Sequence, residues 1–308
     1  MYPGDNKIFD NSPLVSVIAI CYNQEEYVLE TLNSIKAQTY PNIELIISDD
    51  GSTDGTKAIV KKWIDENYPS ARFICHPSNM GITKNLNGTI PYINGSFVKV
   101  IGCDDVLLDD SISVIMKEFM KLPEDYGVIY SDMFLINDKG ETGCIGMVEK
   151  RGHPVPSGFV YEQMIKKPFA TAASIIYRKE VLDKLKCYNG KVDYEDNDFY
   201  LRASRFFKFH YMPEKLVKYR VHAQSLINLS SKTRYYKNEF LVYLLNFDKR
   251  TPYRQVFMKR LLFCFKNLYA EKFQQTFIFS LRAFLKTGNP EFIKYGIAGI
   301  PFLVKDRK

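Results

Sequence analysis

The chain is poor in the features that place a protein quickly. No uncharged run in its 308 residues reaches the ~18 that a membrane-spanning helix needs, so hydropathy excludes an integral membrane protein. Its opening, MYPGDNKIFDNSP, has no basic region followed by an apolar one, and a secretory signal is not expected. The six cysteines (21, 75, 103, 144, 187, 264) form no C-x-x-C pair, which reads as buried thiols in a reducing compartment rather than a disulfide framework. Neither G-x-G-x-x-G nor G-x-x-x-x-G-K-[ST] occurs, which argues against a nicotinamide dehydrogenase and a P-loop ATPase. Repeats and low-complexity segments are absent too. What remains is an ordinary globular balance, 46% hydrophobic and 25% charged, long enough for one large domain or two modest ones.

The net charge of +7 is unevenly placed. Residues 230–308 hold 16 Lys/Arg against 5 Asp/Glu, so the first 229 residues, with 26 basic and 30 acidic side chains, are slightly acidic. The same tail holds 11 of the 22 phenylalanines. Attraction to nucleic acid would explain the charge but not the aromatic load, and nucleic acid is not expected as a partner.

Over the first ~130 residues two hydrophobic periods alternate. Apolar, β-branched runs at 14–21, 43–47, 72–75 and 97–101 predict strands buried on both faces, with helical spacing at 24–38, 54–66 and 82–92 between them. This strand–helix alternation predicts an α/β fold with a mostly parallel central sheet flanked by helices. A helix over 111–121 and a strand at 127–130 follow, and 132–168 reads as hairpins and loops. Next come a strand at 172–177, helices over 178–186 and 195–207, and a strand at 210–219. From 231 the chain is helical, with breaks at 251–252 and 288–290.

Ligands of such sheets collect at the carboxyl ends of the strands. There the second strand ends in Ser48-Asp49-Asp50-Gly51-Ser52-Thr53-Asp54-Gly55, and the fourth in Gly102-Cys103-Asp104-Asp105. Adjacent carboxylates repel, so a cation or ligand donors should compensate them. Hard oxygen ligands suit Mg²⁺ or Mn²⁺, which takes one or two carboxylates and completes its shell with phosphate oxygens and water. The plain alternative for both loops is a turn followed by a helix cap.

Ser16–Asn23 (SVIAICYN), DDGSTD at 49–54, Asn79-x-Gly81 with Asn87-Gly88, and the Asp104-Asp105 pair resemble family 2 glycosyltransferases of the GT-A fold. Glu195-Asp196 in YEDNDFYLR, then Tyr219-Arg220-Val221-His222, extend the resemblance in the same order over roughly 14–225. It implies an inverting, metal-dependent transferase of hexosyltransferase type that uses a nucleotide sugar, a UDP-sugar foremost, and a saccharide or lipid-linked acceptor. It implies that Asp50 accepts a hydrogen bond from the nucleotide base, with Tyr22, Asn23 and Glu25 lining that pocket. Asp104 lies near the ribose, Asp105 and His222 hold Mn²⁺ or Mg²⁺, and Asp196 is the catalytic base beside Glu195. Lys84 and Asn85 meet the diphosphate or the nucleobase.

The chemistry calls for these residue types independently. Expelling a nucleoside diphosphate puts negative charge on the leaving group, and an acceptor hydroxyl attacking from the other face must lose a proton to a carboxylate. Each assignment has a plainer alternative: Glu195-Asp196 as a helix cap, His222 as a buried imidazole. Asp198 with Arg202 reads as a helical surface pair, and His76, His153 and His210 read as structural or exposed. Two positions depart from the family. The first place of the D-x-D form is Cys103, which should weaken metal affinity, and Ile20 removes a small polar contact to the nucleotide.

These readings divide the chain into a GT-A catalytic domain over 1–228 and a basic, aromatic helical extension over 229–308. The irregular stretch 140–175, with Gly158, Phe159 and 170–174, is the expected acceptor wall. In the extension, Arg254, Lys259, Arg260, Lys266, Arg282 and Lys286 interleave with phenylalanines, and the uncharged run 295–304 lies between Lys294 and Lys305. That pattern either meets an anionic membrane surface or packs on the catalytic domain. The location expected is cytoplasmic, peripheral on the inner face of the cell membrane if the tail meets lipid, in surface polysaccharide or glycolipid assembly. Two other classes compete: a non-catalytic nucleotide- or carbohydrate-binding protein, which the intact acids oppose, and a nucleotidyltransferase, which should carry a Gly- and Arg-rich phosphate loop absent here.

Overall fold

The computed structural model describes residues 12–139, 141, 155–223 and 231–300. Cys144, His153, much of the expected acceptor wall and the end of the 295–304 run lie outside the described residues. Eight strands form one sheet in the order β3-β2-β1-β4-β7-β6-β8-β5. They are β1 (Val15–Cys21), β2 (Ile43–Asp49), β3 (Arg72–Cys75), β4 (Phe97–Gly102), β5 (Val106–Leu107), β6 (Tyr126–Ile136), β7 (Ile175–Arg178) and β8 (Lys208–Arg220). β1 lies parallel between β2 and β4, and β3 continues the parallel half. β7 runs antiparallel between β4 and β6, β8 is parallel to β6, and β5 closes the edge antiparallel to β8.

The strands of the parallel half are apolar on both faces because helices cover both. Val15, Val17 and Ala19 pack with Val28, Leu32 and Ile35 of α1 (Val28–Lys36) and with Val60 and Trp63 of α2 (Thr56–Asn67). Ile18 faces the other layer, with Leu86 of α3 (Ile82–Thr89). Further along come α4 (Ser111–Phe119), α5 (Tyr161–Lys166), α6 (Lys179–Leu185) and α7 (Glu195–Ala203).

The C-terminal helices α8 (Lys232–Asn246), α9 (Arg254–Ala270), α10 (Thr276–Thr287) and α11 (Glu291–Ala298) pack into this second layer. Phe240, Phe257, Phe265, Phe279 and Phe292 belong to the same buried cluster as Ile18, Val98 and Phe199. Most of the tail's aromatic load is therefore core. α10 and α11 cross closely where Gly296 meets the Ser280 side chain and Gly299 meets Thr276, positions at which an added Cβ would collide.

Four expectations need correction. β6 runs on to Ile136 in pairing with β8, and α5 is helical, where hairpins and loops were expected over 132–168. Ser131 and Asp132 interrupt the apolar run at the point where the β6–β8 register shifts, which hides the continuation. Residues Ala172–Ser174 form a 3₁₀ turn that precedes β7. Not all cysteines are buried: Cys21, Cys103 and Cys264 are, but Cys75 at the end of edge strand β3 and Cys187 after α6 are exposed free thiols. Asp198 and Arg202 pair at 2.7 Å, but Asp198 is fully buried, so the pair belongs to the interior and not to the surface.

Candidate active site

The β1 and β2 ends are tied together by reciprocal bonds. Asn23, at φ 51°, accepts the Thr53 N–H on its Oδ1 (2.8 Å) and gives its own N–H to Ser52 Oγ (2.9 Å). Glu25 Oε2 accepts from Gly55 N at 2.6 Å, and the Glu25 N–H donates to Asp54 Oδ2 at 3.1 Å. Both side chains assigned to the nucleotide pocket thus shape the wall that residues 51–55 form, and Tyr22 beside them is exposed. Asp54 also accepts from Thr56 N (3.0 Å) at the start of α2, but the N-cap position itself is Gly55, not Asp54 as weighed.

Asp50 is buried, with Oδ1 and Oδ2 accepting from Met80 N (2.8 Å) and Gly81 N (2.9 Å). Its carboxylate fixes the loop before α3. Gly51 crosses that loop at φ 76°, and a Cβ there would sit in the backbone of Ser78 and Asn79. Asn85 is buried and exchanges hydrogen bonds with Ser48 (2.5 and 3.3 Å), which turns it toward β2, whereas Lys84 on the same helix is exposed.

At the end of β4, Gly102 leaves room for Asp104, whose Oδ1 would stand 2.6 Å from a Cβ. Asp104 Oδ2 lies 3.2 Å from His222 Nε2, a contact between residues 118 positions apart. The imidazole is buried against the Tyr27 ring at 4.8 Å. Asp105 is buried, accepts the Arg220 N–H (2.9 Å), and its carbonyl accepts from Thr31 Oγ1 (2.7 Å). Burial and the neighbouring Asp104 charge push the Asp105 carboxyl well above the usual range. Lys99, an isolated lysine in the apolar run of β4, is buried, donates to the Ala173 carbonyl, and is pushed down to about 7 by burial.

Arg220 joins these parts, and sequence reasoning gave it no role. Its Nε donates to the Asp104 carbonyl (2.8 Å), Nη1 to the Asn137 carbonyl (3.0 Å) and Nη2 to Glu30 (2.5 Å), over the Tyr27 ring at 4.7 Å. Its place beside His222 in a quoted motif was the one available signal.

Glu195 and Asp196 open α7. Burial and the Asp196 charge push Glu195 up to about 8. Burial likewise raises Asp196 to about 6, with the Asn197 N–H on its Oδ1 (2.7 Å) opposing and the Glu239 charge adding. Tyr219, half-buried in β8, ties the two regions together. Its phenol is raised first by burial, then by Asp105, Asp104, Asp196 and Glu195 together. Tyr219 thus feels the charge of both acid pairs. His210 is half-buried beside Glu118, and His76 is half-buried with its Nε2 enclosed and unpaired, so neither joins the cleft.

Adjacent carboxylates stand at the carboxyl end of β4, where ligands of such sheets bind. The family model described as "Glycosyl transferase family 2" matches residues 16–186. An uncharacterized glycosyltransferase of Haemophilus influenzae is 30% identical over 249 residues, 77% of this chain and 76% of its own length. Staphylococcus aureus TarS 1–349 in complex with UDP-GlcNAc superposes with a TM-score of 0.61 at 20% identity, covering 94% of this chain and 80% of that one. The Pyrobaculum calidifontis mannosyltransferase PcManGT in complex with GDP-Man and Mn²⁺ gives 0.63 at 16% identity, covering 97% and 89%. The chain belongs to glycosyltransferase family 2, with the GT-A fold and a C-terminal helical region.

The donor set fits a divalent cation. Asp104, Asp105 and His222 offer hard oxygens and an imidazole nitrogen, and burial with the Asp104 charge keeps the Asp105 carboxyl raised although Lys99 and Arg220 oppose it. Among the described residues no group of three His, Cys, Asp or Glu is arranged as a metal cluster. A cation held there would need substrate phosphate and water to complete its shell.

Proposed function

We propose that the protein is an inverting glycosyltransferase of hexosyltransferase type. It moves a sugar from a nucleoside-diphosphate donor, a UDP-sugar foremost, to a hydroxyl of a saccharide or lipid-linked acceptor in surface polysaccharide or glycolipid assembly. The observation that carries this reading is the family match over residues 16–186, together with the Asp104 and Asp105 carboxylates held at the end of β4 against His222 and Arg220. Residues 1–228 form the catalytic unit and 229–308 its basic helical extension. Asp50 receives the nucleotide base, within the wall that Tyr22, Asn23 and Glu25 build, and Asp104 lies by the ribose. Lys84 reaches the diphosphate, and Asn85 acts by fixing α3. Asp105 and His222 hold Mn²⁺ or Mg²⁺, which when bound stabilises the departing diphosphate as a Lewis acid. Asp196 takes the acceptor's proton as that oxygen bonds the anomeric carbon and the bond to the diphosphate breaks, inverting the centre. Product analysis tests this. Free nucleoside diphosphate and an inverted anomeric proton coupling are expected; pyrophosphate would indicate nucleotidyl transfer, and no turnover a binding protein.

The proposed place of work is the inner face of the cell membrane. No described helix is long and apolar enough to cross a bilayer, but α10 and α11 leave Phe277, Ile278, Leu281, Leu285, Ile297 and Ile300 exposed. Residues 277, 278, 281 and 285 follow one helical face, and Lys272, Arg282 and Lys294 stand exposed in the same segment. An apolar face bordered by cations complements anionic lipid. The full chain is expected to co-sediment with anionic vesicles and leave them in high salt, and Leu281→Glu with Leu285→Glu to abolish this. Equal binding by the variant, or loss of a dimer in place of vesicle binding, would exclude lipid as the occupant.

A further inference from the structure

The basic tail carries a buried acid and two buried amides that sequence charge counting hides, and all three reach toward α7. Asn238 Oδ1 accepts the backbone N–H groups of Asp193 (2.7 Å) and Tyr194 (3.2 Å), the residues that lead into the helix. Glu239, 1% exposed, accepts from Asn197 Nδ2 at 2.6 Å on one oxygen and from Arg260 Nη2 of α9 at 2.8 Å on the other. Two turns of α8 further on, Asn246 Nδ2 reaches Asp198 at 2.9 Å. The first turn of α7, with Glu195 and Asp196, is thus gripped from below by side chains of the C-terminal helices. A helix start leaves backbone N–H groups without intrahelical partners, and here the tail supplies one of the acceptors.

We propose that Glu239, braced by Arg260, is a positioning residue for the transfer reaction: through Asn197 it fixes the turn that presents Asp196, so that α8 and α9 are part of the catalytic apparatus. This rests on Asp196 being the base. A buried Arg–carboxylate pair is a poor stabiliser relative to apolar packing, so its presence under the reacting turn asks for another role. Holding one carboxylate in place is such a role, because a small displacement of a reacting group costs rate far more than it costs folding. The charged and titratable groups that act on Asp196 or feel its charge are Glu195 on its own helix, Glu239 on α8, Tyr200 on α7 and Tyr219 on β8. Of these, Glu239 is the acid that a variant can neutralise without touching the cleft.

The test uses the full chain, with Glu239→Gln and Asn197→Ala compared with the parent in kcat, donor KM, pH profile and thermal melting. Glu239→Gln keeps an oxygen acceptor but removes the charge. The acidic limb of its kcat/KM profile should move to lower pH by roughly half a unit, with donor KM unchanged. Asn197→Ala cuts the link and leaves the Glu239–Arg260 pair intact, so it carries the test if the glutamine variant does not fold. Its kcat should fall by up to about 10²-fold at unchanged donor KM. A lower melting temperature with kcat and the acidic limb unaltered would overturn the proposal and leave the pair a packing device. If Asp196→Asn keeps its turnover, the base assignment itself has failed; if it loses turnover while both tail variants behave as parent, only this proposal has.

Discussion

Asp196→Asn is expected to lower kcat by about 10²–10⁴-fold while calorimetric donor affinity stays nearly unchanged. The amide keeps the size of the side chain and the oxygen that accepts the Asn197 N–H, but it cannot take a proton. The local bonding favours Asp196 for this work. Burial raises both carboxyls, and at Asp196 the Asn197 N–H on Oδ1 supports the ionised form that a base needs. An Asp196 acidity near the working range suits a general base. The sign follows directly. Below about pH 6 Asp196 gains its proton and loses its function, so wild-type kcat/KM should fall on that side. The asparagine variant's residual activity should lack this limb. If Asp196→Asn lost donor affinity and kept its turnover number, the base would be sought at Glu195 first.

The parallel half of the sheet was legible because strands buried on both faces are unbroken apolar runs. β1 to β4 lie within two residues of where hydrophobicity places them. β5, two residues long and defined by its pairing with β8, has no such run to betray it. In the site, His222 was paired with Asp105 as a metal ligand, whereas its Nε2 stands 3.2 Å from Asp104, the acid assigned to the ribose. Asn23, Glu25, Asp50 and Asn85 came into view as pocket residues, yet the structure shows their polar atoms engaged within the protein. A motif records which residue types recur, not which hydrogen bonds they make. Arg220 was beyond reach for a different reason: its partner Glu30 is 190 positions away, and nothing local tells a buried arginine from an exposed one. Glu239 and Asn238 were lost in a count. In a segment read as net basic, a single acid among Tyr235, Tyr236 and Phe240 carried no weight, although an isolated carboxylate in an aromatic helix is a sign of burial.

Removal of divalent cations with EDTA is expected to abolish transfer, Mn²⁺ or Mg²⁺ to restore it, and Asp105→Ala to resist rescue at ordinary metal concentrations. The physical ground is the cost of the acid pair without a cation. Asp105 is buried beside Asp104, and its carboxyl is held well above the usual range by that burial and that neighbour, in spite of the Arg220 N–H and the Lys99 charge. A group whose acidity is weakened by folding binds more protons folded than unfolded once pH exceeds its ordinary value. Its ionisation therefore draws stability from the cation-free protein as pH rises from about 4. A divalent cation competes for the same oxygens and reverses the penalty, so its affinity should grow with pH as protons are displaced. Thermal melting reads this without turnover. Mn²⁺ should raise the melting temperature of the wild type, more at pH 8 than at pH 6, and Asp105→Ala should lose most of that rise. The alanine variant on its own should melt no lower than the cation-free wild type at pH 8, because it deletes a buried charge that the Arg220 N–H and the Lys99 charge offset only in part. His222→Ala should keep part of the cation-induced rise, since an imidazole shared with Asp104 at 3.2 Å is a weaker anchor for a hard ion than a carboxylate. Full activity of a verified metal-free preparation, or an Mn²⁺-induced rise in Asp105→Ala equal to that of the wild type, would remove Asp105 from the metal site.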